Sequence, residues 1–187
     1  MERIRCRWCG GNELLIKYHD GEWCARRLHD ERGLFEFLTL EMMQCGLSWL
    51  TVLKKREAMR AAFDNFDPHA IAGYDDERIA ALMKDSGIIR SGSKLRAMVN
   101  NARAFLKLAD EAGSFDKWIW SFTTGKTVAE AAHRENMPAS TPLSAEISAA
   151  LKRRGFKFMG PVVVYSFMQA IGMADDHEMG CFMAGKT

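Results

Sequence analysis

Proline is scarce in this 187-residue chain, with four copies, and tyrosine is scarcer still, with three. So few prolines exclude a polyproline or collagen-like chain and leave long stretches free to run as helix. Charge of one sign is missing as well, since 26 lysines and arginines against 24 acids leave a net of +2. That balance excludes a polybasic or disordered chain. It decides nothing about nucleic acid, because a basic patch can sit inside a neutral total. Long apolar runs are absent. The most apolar stretch, 160–173, falls short of the ~20 residues of a spanning helix, and Ser166 and Gln169 interrupt it. The first thirty residues carry charge throughout, leaving no apolar segment of a signal peptide. Nor is the cysteine count even. Five cysteines cannot all pair within the chain, so no disulfide framework is expected. These absences predict a soluble, cytoplasmic protein with no membrane contact, whose reduced cysteines are available to a metal.

What is present is an ordinary core composition, 48% hydrophobic and 27% charged. It suits a single domain over 1–187, within the usual ~100–200 residues. Helical periodicity dominates. Leu34, Phe35, Leu38, Met42 and Cys45 mark one face, Gly46 ends that helix, and Ser48 caps a second beginning at Trp49. Trp49, Val52, Leu53, Met59 and Phe63 share the face of that second helix. Asp67-Pro68 opens a short helix and Asp75 caps another carrying Ile79, Leu82 and Met83. A glycine-bounded turn, Gly87 to Ser93, then leads into a helix with Leu95, Met98, Val99, Ala102 and Leu106 on one side. Helix, tight turn and helix make a helix-hairpin-helix pattern near 85–95. A short helix over Phe115–Phe122 and a loop over 123–142 follow. Ser144 is the expected cap of a helix ending in Lys152-Arg153-Arg154, with Gly155 as its stop. Val162-Val163-Val164 has strand propensity, but no second strand exists to pair with it, so Pro161 onward reads as helix. The fold class is all-α.

Glu41 stands out on this pattern, about 40° from the centre of the apolar stripe. A carboxylate there is costly unless paired or used. Its plain reading is a buried acid tied to a backbone amide or to an arginine, with Arg56 as candidate. Its functional reading is a pocket carboxylate for a cationic ligand. Trp8, Tyr18, Trp23 and Trp49 surround this region in sequence, and rings beside a carboxylate suit a flat, electron-poor ligand. Phe35 and Phe63 read as core. The Gly87–Ser93 turn directs backbone N–H groups outward at a helix start, which makes an anion site to which Arg90 and Lys94 add charge. Lys54-Lys55-Arg56 and Lys152-Arg153-Arg154 with Lys157 are further basic clusters, each also readable as solvated surface. Candidate metal ligands are Cys6, Cys9, His19, Cys24, His177 and Cys181. Four ligands drawn from both ends of the chain would close a structural site.

Several stretches together resemble the bacterial 3-methyladenine DNA glycosylase I family. They are Tyr18-His19-Asp20-Gly21-Glu22-Trp23, Leu40-Glu41, and Gln44 through Glu57. Gly87-Ile88-Ile89-Arg90 with Lys94, Leu151 through Phe158, and Tyr165 through Ala170 with Asp176-His177 complete the set. The resemblance spans nearly the whole chain. It implies a helix-hairpin-helix enzyme that flips an N3-methylated base from duplex DNA and hydrolyses its glycosidic bond without a covalent intermediate, leaving an abasic site. It implies Glu41 as the catalytic carboxylate with Tyr18 and Trp49 lining the pocket, and Trp8 and Trp23, from the reading of the aromatics above, are expected around the base as well. It places Gly87, Ile89, Arg90, Gly92 and Lys94 on double-stranded DNA, and one structural Zn2+ per chain on Cys6, His19, His177 and Cys181, in a monomer. The remaining class is a catalytically weak, zinc-containing module that binds damaged DNA. Three positions depart from the family pattern. Met42 replaces the glycine after the pocket glutamate, Cys24-Ala25-Arg26 replaces Gly-Val-Pro, and Leu15 replaces an aromatic. Met42 is expected to add bulk where the base sits.

Overall fold

A computed structural model of the chain describes residues 3–129 and 137–186. Nine α-helices run in the order α1 (Glu13–Gly21), α2 (Glu31–Gln44), α3 (Trp49–Ala62), α4 (Pro68–Ala72), α5 (Asp76–Leu82), α6 (Gly92–Ala112), α7 (Phe115–Ser121), α8 (Pro142–Arg153) and α9 (Pro161–Ala170) among the described residues. Single 3-10 turns lie at Arg7–Cys9 and Asp64–Phe66. No strand forms among those residues, and a lone parallel bridge joins Val128 to Ala174. The all-α expectation holds, and the valine run is helical as α9.

Side-chain caps fix most helix starts, because the first N–H groups of a helix have no partner within it. Asp30 accepts from Gly33 N–H, Ser48 from Thr51, Asp67 from His69 and Asp75 from Arg78. Two starts differ from the sequence reading. Asn12 accepts from the N–H groups of Leu14 and Leu15 and opens α1, a helix that the apolar periodicity did not mark and that carries Tyr18. In α8 the cap is Thr141, and Ser144 is its reciprocal partner three residues on, with Pro142 between them at the first helical position. Residues 130–136 of the expected 123–142 loop lie outside the described residues.

The centre of the fold is α2, buried from Leu34 to Met43 and packed by α3, α6, α7 and α9. Phe35 meets Phe105 of α6 edge-on at 5.3 Å, and Phe105 stacks on Phe115 of α7 at 4.3 Å. Cys45 lies just past the end of α2 and is half-buried, off the core stripe where the sequence placed it.

The chain then folds back across α9. Cys24 N–H donates to Gln169 O at 3.0 Å, and Leu28 N–H to Ile171 O at 3.0 Å. Gly172 lies beneath this strap with φ of +75°, and a Cβ built there would come within 2.3 Å of Arg26 O. Gly125 has the same φ with open space around it. Gly172→Ala is therefore expected to cost about 3 kcal/mol or more in urea unfolding, against about 1 kcal/mol for Gly125→Ala. Equal losses at the two positions would remove the close approach as the cause.

Candidate active site

A cavity of about 180 Å³ opens between α1, α2, α3 and α9. Tyr18 comes from α1, Glu41 and Gln44 from α2, Trp49 from the first turn of α3, and Ser166 and Gln169 from α9. Trp8, Trp23 and Met137 close the ring. Tyr18 lies 5.0 Å from Trp49, and Trp8 lies 5.0 Å from Trp23 edge-on and 6.3 Å from Tyr18. The volume suits one flat heterocycle and is well below the roughly 300–1,000 Å³ of drug-sized sites. A larger groove of about 790 Å³ lies among α6, α7 and α8. Its charged residues Lys107, Glu111, Glu146, Arg153 and Arg154 are exposed, and Arg154 pairs with Glu111, so it offers no desolvated reactive group.

Glu41 is 5% exposed, and burial pushes its carboxyl from 4.5 up to about 8. Among the described residues no hydrogen bond or ion pair reaches it. The arginine that the sequence offered as its partner is engaged elsewhere. Arg56 donates to Glu22 Oε2 and to Glu36 Oε1, each at 2.7 Å, and Arg60 reaches the same Glu36 oxygen at 2.6 Å. Position explains the difference, since Arg56 lies over Phe37 at 5.1 Å, on the flank of α2 that carries Glu36. Burial, followed by the Glu41 charge, raises the Tyr18 phenol well above its usual value and keeps it neutral. The indole N–H groups of Trp8 and Trp49 are buried with no partner among the described residues, leaving two donors for a ligand.

The departures from the family pattern fall differently from expectation. Met42 is fully buried and does not line the cavity. Its sulfur receives Asn101 Nδ2 of α6 at 3.7 Å, so its bulk fills the core behind α2. One step along a helix turns a side chain by about 100°, away from the face of Glu41. Cys24, where a glycine is usual, takes φ of +51°, and its thiol donates to Ala174 O at 2.9 Å. Leu15 does not line the pocket. Gln44, Met137, Ser166 and Gln169 are pocket residues that sequence reasoning missed. The polar interruptions of the apolar 160–173 stretch were the available signal for Ser166 and Gln169.

The chain ends meet beside the pocket. Cys6, His19, His177 and Cys181 are all buried, and their ligand atoms lie within 4.8 Å of one another. Cys6 Sγ is 3.5 Å from His177 Nδ1, and Cys181 Sγ is 3.4 Å from His19 Nε2 and 3.6 Å from His177 Nδ1. His19 Nδ1 donates to Asp20 at 2.9 Å, which leaves Nε2 as the ligating nitrogen. Arg5 in turn holds Asp20 and keeps its carboxyl below the ordinary range. Burial lowers His177 to about 4, so it stays neutral as a ligand must, and raises the Cys6 thiol to about 12. Two cysteines, which would bind as thiolates once a cation offsets the cost of their burial, and two imidazoles at these separations fit a four-coordinate divalent metal. Cys9 and Cys24 stand outside the cluster, with the Cys9 thiol donating to Cys6 O at 3.1 Å.

The hairpin runs from the end of α5 to α6. Arg90 is exposed, and no side chain caps the first turn of α6, which begins at Gly92. Ile89 is buried beneath the turn. Gly87 N–H is taken by Asp85 Oδ1 at 2.7 Å, and its carbonyl receives Lys55. Lys94, expected to add charge to an anion site, turns inward instead. It is 8% exposed, and its Nζ donates to the carbonyls of Met43 at 2.9 Å and Cys45 at 2.6 Å. The last carbonyls of α2 lack helix partners, and the lysine satisfies them.

A family model described as methyladenine glycosylase matches residues 8–184. The chain is 45% identical over 178 residues to DNA-3-methyladenine glycosylase 1 of Escherichia coli (strain K12), covering 95% of each. It superposes on a crystal structure of a 3-methyladenine DNA glycosylase I with TM-score 0.91 and 46% identity, covering 96% of this chain and 98% of that one. A variant of such an enzyme, solved in complex with 3-methyladenine, gives TM-score 0.92 at 36% identity, covering 97% and 98%.

The raised carboxyl has a sign that can be tested. A folded-state value of about 8 against an ordinary 4.5 means that the folded chain holds this proton more tightly than the unfolded chain. The stabilisation is fully present below pH 4.5 and is lost as pH rises through about 8. Glu41→Gln should thus be more stable than the parent, by an amount that grows between those pH values to about 5 kcal/mol at most. Urea titrations of both proteins at pH 5, 7 and 9 measure it, and a difference independent of pH would mean the carboxyl is not destabilised by burial.

Proposed function

The chain belongs to the methyladenine glycosylase family, and we propose from that premise that it is a monofunctional glycosylase that hydrolyses the glycosidic bond of N3-methyladenine in double-stranded DNA. The observation that carries this reading is Glu41, buried without a counter-charge in a ring-lined cavity of about 180 Å³. Methylation at N3 makes the nucleotide's base cationic, so it is already a leaving group and needs little acid catalysis. A pocket that desolvates a carboxylate favours a cation over a neutral base of the same shape. The flipped base stacks among Trp8, Tyr18, Trp23 and Trp49 while Glu41 gives up its proton to solvent and opposes the positive charge, to be reprotonated by the proton that the attacking water releases. As the bond to C1′ breaks, its electron pair passes to the base and cancels that charge. Water adds to the sugar, and an abasic site remains. The carboxylate is then buried opposite a neutral base and takes a proton again, which weakens the hold on product. N3-methylguanine carries the same charge, so charge alone does not separate the two bases, but its carbonyl at the place of the adenine amine makes it the poorer substrate.

The single domain grips DNA as a monomer. Arg90, with the uncapped first turn of α6 at Gly92, faces a phosphate, with Gly87 and Ile89 shaping the turn. Lys94 acts indirectly by fixing α6 to the end of the helix that carries Glu41. The metal of the terminal cluster is zinc, held by Cys6, His19, His177 and Cys181. Three of the sulfur–nitrogen pairs lie 3.4–3.6 Å apart, separations that one zinc held by all four residues would allow. With four protein ligands it supplies no open position and ties the two ends of the chain together.

Incubation with methylated duplex DNA should release free 3-methyladenine and leave alkali-labile sites, with Glu41→Gln slower by about 10²-fold or more. Binding without base release would favour the DNA-binding module over the enzyme. Elemental analysis should give one zinc per chain, lost together with stability in Cys181→Ser. A Cys181→Ser protein that melts like the parent under chelator would leave the cluster without a structural metal.

A further inference from the structure

We propose that Gln169 is a specificity-determining residue of this pocket, its side-chain oxygen accepting a hydrogen bond from the exocyclic amine of the bound base, with Asp176 holding it in that role. The inference rests on reading the cavity as a methyladenine site. Gln169 sits in the last turn of α9, 8% exposed, and lines the cavity. A glutamine amide carries two donors at one end and an acceptor at the other, and which end faces a ligand decides what it can recognise. Here its partners settle the orientation. Nε2 donates to Asp176 Oδ2 at 2.8 Å and to Met137 Sδ at 3.5 Å, and both are acceptors. Tyr165 donates its hydroxyl to the same Asp176 oxygen at 2.5 Å, so that oxygen already serves as an acceptor. Reversing the amide would set its oxygen against a carboxylate that is 1% exposed.

Both hydrogens of the amide nitrogen are thus spent within the protein. Among the described residues nothing donates to the Gln169 side-chain oxygen. An acceptor in this pocket needs an N–H on the ligand. An adenine methylated at N3 and joined to its sugar at N9 has N–H groups only on its exocyclic amine. That amine has two hydrogens, and Glu41 and Gln169 are buried acceptors that line the cavity. The orphaned indole N–H groups of Trp8 and Trp49 remain to face ring nitrogens. A base with a carbonyl in place of the amine would turn lone pairs toward the Gln169 oxygen. The unpaired acceptor is then what rejects it.

The test measures dissociation constants for the free bases 3-methyladenine and 3-methylhypoxanthine, followed by quenching of the pocket tryptophans, in the parent protein and in Gln169→Met. The parent should prefer 3-methyladenine by at least about tenfold. In Gln169→Met that preference should narrow by about three- to tenfold, through weaker binding of 3-methyladenine. A residue with only a packing role would weaken both bases alike and leave the ratio unchanged, and that outcome overturns the proposal. The ratio is taken on one preparation, so a partly unfolded fraction does not affect it. Equal affinity of the parent for the two bases overturns the proposal without any variant. A parent that binds neither base removes the methyladenine reading itself, and the proposal with it.

Discussion

A carboxyl buried without a counter-charge is among the costlier things a small protein can hold, and the arrangement around Glu41 follows from keeping it in that state. The nearest candidate cation, Arg56, is held by Glu22 and Glu36, and Arg60 shares Glu36. That network joins the end of α1 to α2 and α3, the helices that carry Tyr18, Glu41 and Trp49. It positions the pocket walls and prevents the arginine from neutralising the pocket from within. What results is a desolvated carboxyl with aromatic rings on several sides.

The rest of the fold holds that pocket closed. The cluster of Cys6, His19, His177 and Cys181 brings the two chain ends to the pocket wall, where His19 follows Tyr18 directly and His177 follows Asp176. The Asp176 carboxylate fixes Gln169, so the same short segment serves the cluster and the pocket. On the opposite flank, Lys94 ties the start of α6 to the end of α2, and Asn101 spans Met42 and the backbone of Lys157. The hairpin that would contact DNA and the helix that presents Glu41 are therefore mechanically one unit.

Much of this was legible in the chain itself. Periodicity and capping residues placed α2 to α6 and α9, because those signals are local: an apolar stripe, an aspartate or serine before it, a glycine after it. The metal set and the pocket rings were readable through the family resemblance. The carboxylate on the stripe was visible from helical spacing alone, since Glu41 breaks an otherwise apolar face. What periodicity could not supply was the partner of each charge. Arg56 and Lys94 both carry sequence signals that suit two destinations, and only the packing of helices decides between them. Lys94 looked like a phosphate ligand beside a helix start, yet the frayed carbonyls of α2 lay closer. Met42 looked like bulk in the pocket, yet its rotation on the helix sends it to the core.

The sequence by itself determined most of the helices and the acid on the apolar stripe, because these depend on residue type and spacing along the chain, while the pocket rings and the four clustered Cys and His residues were legible through the family resemblance. Tertiary structure alone decided that Glu41 has no partner among the described residues and that the amide nitrogen of Gln169 turns to Asp176. Both depend on hydrogen-bond partners brought from distant segments, and a donor's choice among acceptors is settled by distances of a few tenths of an ångström that no spacing encodes.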